Sequence, residues 1–542
     1  MEFFSILRKP DIVLGATEDT SFRFEEESQD ICPVKYEYKI TNNIGKLTVY
    51  PSCSPIKYLK LRWNGELNFV EKVYGDQWER AGVNGAYLEW RSVMACRNLP
   101  WFTYLYADKK TACYGVKTGA NSFASWRVDT HGITLFVNLC CGTEGVDLIE
   151  PLLALEVVEL ISQKGEDVYS VAKRFSRIMC DNPVLPKTPI FGINNWYWAY
   201  GEICQEIIEQ ETDYLMEMCK GTKNRPYMVV DDGWQVNRTF SSPPYIGGPW
   251  KDCNERFESL DKIVDSIHSR GAKAGLWFRP LLTMGTCPND AVLEYKSTNG
   301  GGLILDPSHP YTLEHVYNDA KMFSDLGFDL LKHDFTVMDI CGFGLSADNN
   351  DSTLFKVERK FFDKTKTTAI IFKNLYKAIQ KGFGDKDIIA CNTISHLTAG
   401  IHSIYRVGND NSGYSFEWTR RDGINSVMRL PLNDTFYNVD PDCAAFTEMT
   451  NAKENLDFLR MCAVTGMTTF ASVKPGILCK KDLEEINEIF KIADKNDKRL
   501  GIKNYENNAN PEEFISEDKS EYIRFDWDRP FVGSRTVVDW FN

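Results

Sequence analysis

The sequence predicts an α/β protein: a (β/α)8 TIM barrel preceded by an N-terminal β-sandwich and followed by a small C-terminal β region. Three observations support this prediction. Residues 1 to about 182 contain short β-type segments separated by turn residues. From about residue 190, short apolar segments alternate with helical ones. The last 45 or so residues return to β-type sequence. We therefore expect domains at 1–182, 183–497 and 498–542.

The N-terminal segments are predicted to be strands because they are rich in Val, Tyr, Thr and Phe, and several alternate between apolar and polar residues. Short strands at this spacing, broken by Asn, Gly and Pro, are typical of a β-sandwich. A helix around 166–180 and the proline-punctuated stretch 181–189 indicate a domain boundary. The clearest strand candidates are 35–43, 46–52, 112–119 and 133–141.

Eight strand candidates follow residue 189, each succeeded by a helical segment or by a gap that can hold one. This alternation is what a (β/α)8 barrel requires. The connection from the fifth to the sixth strand is tight and leaves little room for its helix. The predicted strands are 190–196, 227–234, 273–280, 328–335, 387–393, 403–410, 435–442 and 467–473. The predicted helices are 206–220, 260–270, 312–327, 368–381 and 484–495. C-terminal β segments are 521–528 and 534–541.

Composition and charge exclude several classes of partner. The 542 residues carry a net charge of −14 with no long basic run, whereas nucleic acids and anionic membranes attract clustered positive charge. No segment approaches the roughly 18 consecutive apolar residues of a membrane helix. The N-terminus lacks the pattern of a secretory signal, and the 16 cysteines include no CxxC pair. We expect a cytoplasmic protein with free thiols and neither a nucleic-acid nor a membrane partner.

Polar and aromatic residues stand at the ends of several predicted barrel strands, where a buried strand would simply stop. All strand C-termini of such a barrel open onto one face, where active sites lie, so these residues should converge. A single Asp at a strand end is more often a helix N-cap, but here five strands have the feature. The groups are Asp231-Asp232-Gly233-Trp234, Trp277-Phe278-Arg279, Lys332-His333-Asp334, Arg406-Val407-Gly408-Asn409-Asp410 and Asp440-Pro441-Asp442.

Paired carboxylates across a pocket indicate glycoside hydrolysis, which needs one nucleophile and one proton donor. Lys332 and Asp334 lie two residues apart on a strand, so their side chains point the same way, and a nearby ammonium favours an ionised carboxylate. Asp410 follows a glycine-containing turn and would need a raised pKa to donate a proton. Asp440 or Asp442 is the alternative donor. The 13% aromatic content suits a sugar-binding cleft and equally a large β-rich core.

Metal and cofactor chemistry is not indicated by any motif. The 7 histidines form no HxH or HExxH pattern. His333, His396 and His402 could still meet in space, but structural or substrate-binding roles are the favoured interpretation. The stretch 342–344 lacks the third glycine of a dinucleotide-binding loop. We expect no metal and no cofactor, and a metal-dependent hydrolase is the alternative that a chelator would identify.

Four motifs carry a family resemblance: DDGW (231–234), GLWF (275–278), LLKHD (330–334) and RVGND (406–410). In this order they resemble the α-galactosidase-type retaining glycosidases of families 36 and 27, in clan D. The resemblance covers about 190–475, and the preceding sandwich matches the family 36 layout. It implies a retaining exo-glycosidase that acts on terminal α-glycosides through a covalent glycosyl-aspartate, with a carbohydrate as its partner.

The resemblance also implies individual roles. Asp334 falls on the nucleophile and Asp410 on the acid/base. The family often assembles into dimers or tetramers in which an N-terminal domain helps to wall a neighbour's site, so a homo-oligomer is one expected state. Trp78 and Trp101 are candidate contributors to such a wall, although core packing is the favoured interpretation. The substrate-binding positions are Trp198, Asp231, Asp232, Trp277, Arg279, Lys332, Asn392 and Arg406.

Departures from the family pattern concern the substrate. Arg279 replaces the acid of G-L-W-F-E-P, the stretch 391–394 replaces a glycine-rich segment, and N-D-N-S replaces S-D-N after the sixth strand. An α-galactoside is therefore the first expectation, while an α-N-acetylgalactosaminide, another hexoside or a charged sugar stays open. Arg279 could meet a carboxylate or sulfate, although pairing with a local acid is favoured. A transglycosylase and an inactive carbohydrate-binding homologue are the alternative functions.

Overall fold

Two antiparallel sheets form the N-terminal part of the computed structural model, which describes residues 2–19, 33–82, 88–93, 98–237, 247–295, 302–346, 354–355, 357–497, 499–507 and 509–527. The sheets have the strand orders β1-β4-β10-β9-β6 and β2-β3-β11-β8-β7-β5. Tyr38 of the second sheet contacts Trp63 of the first, with ring centroids 6.0 Å apart. The predicted β-sandwich is confirmed. Its strands are β1 Ile12–Thr17, β2 Tyr36–Thr41, β3 Ile44–Val49, β4 Ile56–Asn64, β5 Lys72–Gly75, β6 Leu99–Pro100, β7 Phe102–Ala107, β8 Lys110–Val116, β9 Phe123–Asp129, β10 Gly132–Asn138 and β11 Leu152–Ile161.

Strand β4 illustrates why these segments pair as they do. Its buried side chains include Leu59, Leu61 and Trp63, every second residue, because successive side chains of a strand point to opposite faces. The intervening residues Lys60 and Arg62 are only partly buried. The buried face packs against the second sheet and thereby fixes the register of the strand.

The barrel is a parallel sheet with the order β21-β20-β19-β18-β14-β13-β12-β23-β22. All eight predicted strands are present, but the seventh continues beyond the predicted range 435–442 and is divided into β21 and β22. Pro441 has no N–H to donate, and Asp442 adopts a left-handed conformation with φ 71°, so the ladder breaks between the two pieces. Because β21 pairs with β20 and β22 pairs with β23, the two residues between them close the barrel. The barrel strands are β12 Phe191–Asn194, β13 Tyr227–Val230, β14 Lys273–Phe278, β18 Leu330–His333, β19 Asp387–Ala390, β20 Ile404–Arg406, β21 Asn438–Asp440, β22 Cys443–Phe446 and β23 Thr469–Val473.

Helices separate the barrel strands and include all five predicted ones. The tight connection after β19 holds a four-residue helix, α8, while α9 and α10 occupy gaps in which no helix was specified. Within the described ranges, no helix is both long and apolar enough to cross a membrane. The helices are α1 Val168–Met179, α2 Trp196–Ala199, α3 Gln205–Met218, α4 Leu260–Ser269, α5 Pro310–Asp325, α6 Thr336–Cys341, α7 Thr368–Phe383, α8 Ser395–Thr398, α9 Phe416–Met428, α10 Ala452–Thr465 and α11 Lys480–Lys495.

Two small antiparallel sheets complete the structure. One lies within a barrel loop and has the order β15-β17-β16, with β15 Leu282–Thr283, β16 Val292–Tyr295 and β17 Leu303–Leu305. The other forms the predicted C-terminal β region, with β24 Gly501–Ile502, β25 Glu513–Ile515 and β26 Tyr522–Arg524. The predicted segment 534–541 lies outside the described residues. The boundaries at 182/183 and 497/498 stay predictions.

The sandwich and the barrel share one hydrophobic core. Trp101 stacks on His396 of α8 with ring centroids 4.8 Å apart, and Trp78 meets Trp101 edge-on at 5.3 Å. Both tryptophans are fully buried. They therefore pack the junction between the two domains within one chain, as the core-packing interpretation expected.

Candidate active site

A cavity of about 240 Å³ opens at the carboxyl ends of the barrel strands. Pockets for drug-sized ligands span roughly 300–1,000 Å³, so this cavity fits a single small ring. Acids, cations and aromatic side chains together form its wall. The lining residues are Arg80, Trp196, Tyr197, Asp231, Asp232, Trp277, Lys332, Asp334, Phe335, Met338, Asn392, Arg406 and Asp410.

Eight of the ten residues predicted for the site line this cavity, although they come from the ends of five different strands. The convergence follows from the parallel barrel, in which every strand delivers its carboxyl end to the same face. The other two predicted residues, Trp198 and Arg279, are directed elsewhere. The eight are Asp231, Asp232, Trp277, Lys332, Asp334, Asn392, Arg406 and Asp410.

Asp334 directly follows β18 and is held by neighbours on both carboxylate oxygens. Its Oδ1 accepts a hydrogen bond from the backbone N–H of Phe335 at 2.7 Å, and its Oδ2 accepts one from Trp277 Nε1 at 3.3 Å. Phe335 adopts a left-handed conformation with φ 65°, which turns the chain sharply after the carboxylate. These contacts fix the orientation of Asp334 in the cavity.

Lys332 lies in the same cavity, but its ion pair is with Asp231, whose Oδ2 is 2.7 Å from the ammonium nitrogen. Burial lowers the pKa of Lys332, but the charge of Asp231, together with those of Cys391 and Asp442, raises it above the usual value for lysine. Asp231 Oδ2 also accepts a hydrogen bond from Asn194 Nδ2 at 2.6 Å, and Asp232 Oδ1 accepts one from Gln235 at 2.6 Å. Polar groups thus line one side of the cavity in fixed positions.

Arg406 also lines the cavity and contacts acids from two neighbouring segments. Its guanidinium lies 2.7 Å from Asp442 Oδ2, 3.3 Å from Asp410 Oδ1 and 3.5 Å from Asp440 Oδ2. Asp440 and Asp442 are nearly fully buried behind the arginine and do not line the cavity. This geometry disfavours the alternative in which one of them donates the proton, because neither faces the space where a substrate would lie.

Asp410 sits at the rim of the cavity, with 58% of its side chain exposed. Its Oδ1 lies 2.9 Å from the guanidinium of Arg80, which belongs to the sandwich domain. Desolvation raises the pKa of Asp410, but the charges of Arg80, Arg406 and Lys332 outweigh it and hold the pKa below the usual value for Asp. A proton donor needs a raised pKa, whereas these charges lower the pKa of Asp410.

Asn392 occupies the position of the missing glycine-rich segment, with a left-handed φ of 53°. Its side-chain oxygen accepts a hydrogen bond from the backbone N–H of Met338 at 3.2 Å, and its amide nitrogen lies 3.4 Å from Glu79 Oε1. Burial raises the pKa of Glu79 to about 7. Asn392 therefore connects the cavity wall to the sandwich loop that carries Glu79 and Arg80.

Trp198 and Arg279 lie outside the cavity wall. The indole N–H of Trp198 donates to Glu211 on α3 at 2.6 Å, and the guanidinium of Arg279 forms a two-point ion pair with Asp339. Each side chain is directed to a buried acid and not to the cavity, so the substrate-binding roles of these two residues stay predictions. Pairing of Arg279 with a local acid was the favoured interpretation, and this is its observed contact.

Trp196 takes the position expected of Trp198. Both belong to the short helix α2, where residues two apart point in nearly opposite directions, so only one of them can face the cavity. A signal was present in the sequence: Trp196 is the first aromatic residue after the end of β12 at Asn194. Arg80 had no such signal, because it reaches the cavity from a loop some 330 residues earlier in the chain.

His333 and His402 do meet, with their Nε2 atoms 3.2 Å apart, but they lie buried outside the cavity wall. Burial lowers the pKa of His333 to about 3. Among the residues the structure describes, no group of three or more His, Cys, Asp or Glu side chains is arranged to hold a metal ion. The residues that line the cavity supply carboxylates, cations, aromatic rings, the amide of Asn392 and the thioether of Met338.

Comparisons with known proteins give partial sequence matches. No family model matches the chain. It is 25% identical over 185 residues to Alpha-galactosidase 3 of Arabidopsis thaliana, covering 34% of this chain and 36% of that protein. It is 24% identical over 151 residues to Alpha-galactosidase of Oryza sativa subsp. japonica, covering 28% and 30%. The chain thus spans about a third of the length of these curated relatives.

Structural matches extend much further. The α-galactosidase TtGalA from Thermus thermophilus, in complex with p-nitrophenyl α-D-galactopyranoside, has a TM-score of 0.59 and 15% identity over 90% of this chain and 99% of that one. The GH36 α-galactosidase AgaA from Geobacillus stearothermophilus has a TM-score of 0.58 and 15% identity over 90% and 72%. The two comparisons confirm the resemblance to α-galactosidase-type glycoside hydrolases that the motifs indicated, and the structural matches show a common fold.

Proposed function

We propose that this protein is a retaining exo-glycosidase that hydrolyses terminal α-glycosides, with an α-galactoside as the first choice of substrate. One observation carries the proposal: Asp334 and Asp410 line the same ring-sized cavity, together with fixed polar groups and aromatic walls. Two carboxylates facing one cavity are what double displacement at an anomeric carbon requires. The similarity to α-galactosidases supports the choice of sugar.

In the first step, a carboxylate oxygen of Asp334 attacks the anomeric carbon while the bond to the leaving oxygen breaks. Asp410 gives its proton to that oxygen, and a glycosyl-aspartate ester and a free alcohol result. Trp277 and the backbone N–H of Phe335 orient the attacking carboxylate. The paired groups Asp231 and Lys332 offer hydrogen-bonding partners to the sugar hydroxyls.

In the second step, Asp410 accepts a proton from water, whose oxygen attacks the anomeric carbon and releases Asp334. Two inversions at one carbon give net retention. The lowered pKa of Asp410 suits this base role directly. Its role as a proton donor requires either acidic pH or a change in its surroundings when substrate enters.

The charges in the cavity favour a neutral sugar. Lys332 is paired with Asp231, Arg80 with Asp410, and Arg406 with Asp442 and Asp410. Among the described lining residues, every cation therefore has a carboxylate partner already. Arg279, the cation that raised the possibility of a charged sugar, is paired with Asp339 outside the wall. A neutral hexose such as galactose fits this balance better than a sulfated or carboxylated sugar.

Covalent labelling tests the proposal. The carboxylate of Asp334 should displace the leaving group of an activated 2-fluoro-α-galactoside and form a fluoroglycosyl ester, and peptide mass spectrometry should locate that label on Asp334. Asp334→Asn should remove both the label and turnover. A parallel screen of aryl α- and β-glycosides, with NMR of the first-formed anomer, identifies the sugar and the stereochemistry. Formation of the inverted anomer, or a label on another residue, would contradict the proposal.

The alternative functions predict different products. A transglycosylase shares the nucleophile and the acid/base but transfers the glycosyl group to a sugar acceptor rather than to water. An inactive homologue binds the sugar and forms no covalent ester. Product analysis with and without an added acceptor separates these cases.

Cytoplasmic location and homo-oligomeric assembly stay predictions.

A further inference from the structure

A loop of the sandwich, residues 76–82, enters the mouth of the barrel. The backbone N–H of Ala81 donates to the carbonyl of Val407 at 2.8 Å, and Ala81 pairs with Gly408 as a short parallel bridge. The preceding residue, Arg80, is thereby placed against Asp410, with the guanidinium 2.9 Å from Oδ1. The sandwich of the same chain thus completes the wall of the cavity.

Arg429 fixes this loop to the segment that follows β20. Its guanidinium contacts Asp76 Oδ1 at 2.7 Å, the carbonyl of Glu79 at 2.7 Å and the carbonyl of Val407 at 2.9 Å. Arg429 and Asp76 are both fully buried. Because one cation holds both chain segments, the distance between Arg80 and Asp410 is set by the core.

We infer that Arg80 is a positioning residue for Asp410: its guanidinium holds the acid/base carboxylate in place and controls when that carboxylate carries a proton. The inference rests on the proposed function and deepens it. Arg80 has 7% of its side chain exposed, so it cannot readily turn into solvent.

Arg80 differs from the other cations that face Asp410, because each of the others lies closer to a different carboxylate. Arg406 lies closer to Asp442, at 2.7 Å, than to Asp410, at 3.3 Å. Lys332 is paired with Asp231. Arg80, in contrast, is closer to Asp410 than to its own neighbour Glu79, which lies 3.6 Å away. The charged and titratable groups that act on Asp410 are Arg80, Arg406, Lys332, Asp422, Asp442, Tyr197 and Tyr200.

Arg80 affects the two catalytic steps in opposite ways. A neighbouring cation favours the ionised carboxylate, so the first step, which needs protonated Asp410, is restricted to lower pH. The same cation assists the second step only by keeping Asp410 available as a base. The fall of kcat/KM at high pH follows the pKa of Asp410 in the free enzyme. The pH at which this fall occurs therefore measures how strongly Arg80 lowers that pKa.

Arg80→Met tests this directly. On an α-galactoside with an alkyl leaving group, we expect the alkaline limb of kcat/KM to move to higher pH by about one unit, the lower end of the range for loss of an adjacent opposite charge. Arg80→Lys should restore part of the shift, because it returns the charge. Arg62→Met is the matched control, since Arg62 pairs with Asp129 within the sandwich. An unmoved limb in Arg80→Met would overturn the inference.

A second measurement does not depend on activity. Carbodiimide reacts with protonated carboxyl groups, and Asp410 is exposed enough for labelling. Peptide mass spectrometry gives the extent of Asp410 labelling at each pH, and hence the pH at which labelling is half-maximal. In Arg80→Met this pH should rise by the same amount as the alkaline limb of kcat/KM. If the wild-type protein hydrolyses no glycoside, the proposed function fails, while the labelling midpoints still decide the role of Arg80. Equal midpoints in the two proteins would refute it.

Discussion

At the scale of single residues, the two carboxylates of the cavity have different surroundings. Asp334 is oriented by N–H donors and directly follows a strand, whereas Asp410 is exposed at the rim and touches two arginines. A rigid carboxylate suits a nucleophile, and an exposed one suits a group that must exchange protons with water. The difference predicts distinct consequences of removing each.

Asp410→Ala should slow substrates with poor leaving groups far more than activated aryl glycosides. An alkyl alcohol leaves only when protonated, whereas a nitrophenolate leaves unaided, and proton donation contributes roughly 10²–10⁴-fold. Comparison of kcat/KM for a methyl and a dinitrophenyl α-galactoside measures this. Equal losses on both substrates would remove Asp410 from the acid role.

Trp196→Ala should weaken substrate binding, because its ring lines the cavity and would pack against the sugar. We expect a raised KM with a smaller change in kcat. Trp198→Phe is the matched control, since Trp198 belongs to the same helix but is bonded to Glu211. Steady-state kinetics of both variants measure KM and kcat. A larger rise in KM for Trp198→Phe than for Trp196→Ala would contradict the placement of Trp196 in the cavity wall.

At the scale of elements, the strand positions were predictable and the connections were less so. All eight barrel strands were predicted because their short apolar runs alternate with helical segments or with gaps that can hold a helix. The division of the seventh strand was missed, since Pro441 and Asp442 look like an ordinary strand end until both neighbouring strands are in place. Helices α9 and α10 were missed because charged and amide residues interrupt their apolar pattern.

The site was predictable to the extent that it lies at strand ends. Asp231, Lys332 and Asp334 follow from the barrel alone, because the parallel strands bring them to one face. Which of Trp196 and Trp198 faces the cavity depends on how the one-turn helix α2 is rotated about its axis. The position of the strand end does not determine that rotation. Contacts between segments that are far apart in the chain could not be predicted from the sequence pattern.

The loop after β20 should tolerate no side chain at Gly413. A Cβ there would lie 1.7 Å from the carbonyl oxygen of Tyr197, so Gly413→Ala must displace the loop that carries Asp410. A displacement near 1 Å costs on the order of 10²-fold in rate. Gly285→Ala is the control, because its nearest neighbour, Thr283 Oγ1, lies 3.3 Å away. Comparable kcat/KM in the two variants would show that the loop adapts.

At the scale of the whole molecule, the buried pair Arg429–Asp76 joins the sandwich to the barrel. Arg429→Met leaves Asp76 buried without its counterion, which costs about 3–5 kcal/mol of unfolding free energy. Urea denaturation followed by tryptophan fluorescence measures the loss. Arg429→Met combined with Asp76→Asn should recover part of it, because the orphan charge is removed. An unchanged stability in the single variant would show that solvent reaches the pair.

Buried histidines predict a loss of stability in acid. Burial lowers the pKa of His396 to about 4 and that of His333 to about 3, so both stay neutral in the fold. As pH falls below about 6.5, the unfolded chain binds protons that the folded chain does not, and each histidine lowers the unfolding free energy by about 1.4 kcal/mol per pH unit until its folded pKa is reached.

His396→Gln should therefore flatten the fall of unfolding free energy between pH 6.5 and pH 4, a window set by the ordinary and the lowered pKa of histidine. His131→Gln on the exposed sandwich surface is the control. Denaturation curves collected across this pH window measure both slopes. If the two variants and the wild type have the same slope, His396 is not a source of the acid sensitivity.

The contact between Arg80 and Asp410 joins residues 330 positions apart, and this separation bears on how the chain reaches its active form. Domains emerge and fold from the N-terminus during synthesis, so the sandwich can form long before the sixth barrel strand leaves the ribosome. Contacts of such long range are among the slowest to form. Because the cavity wall needs both partners, the cavity becomes complete only when the barrel closes on a sandwich that is already folded.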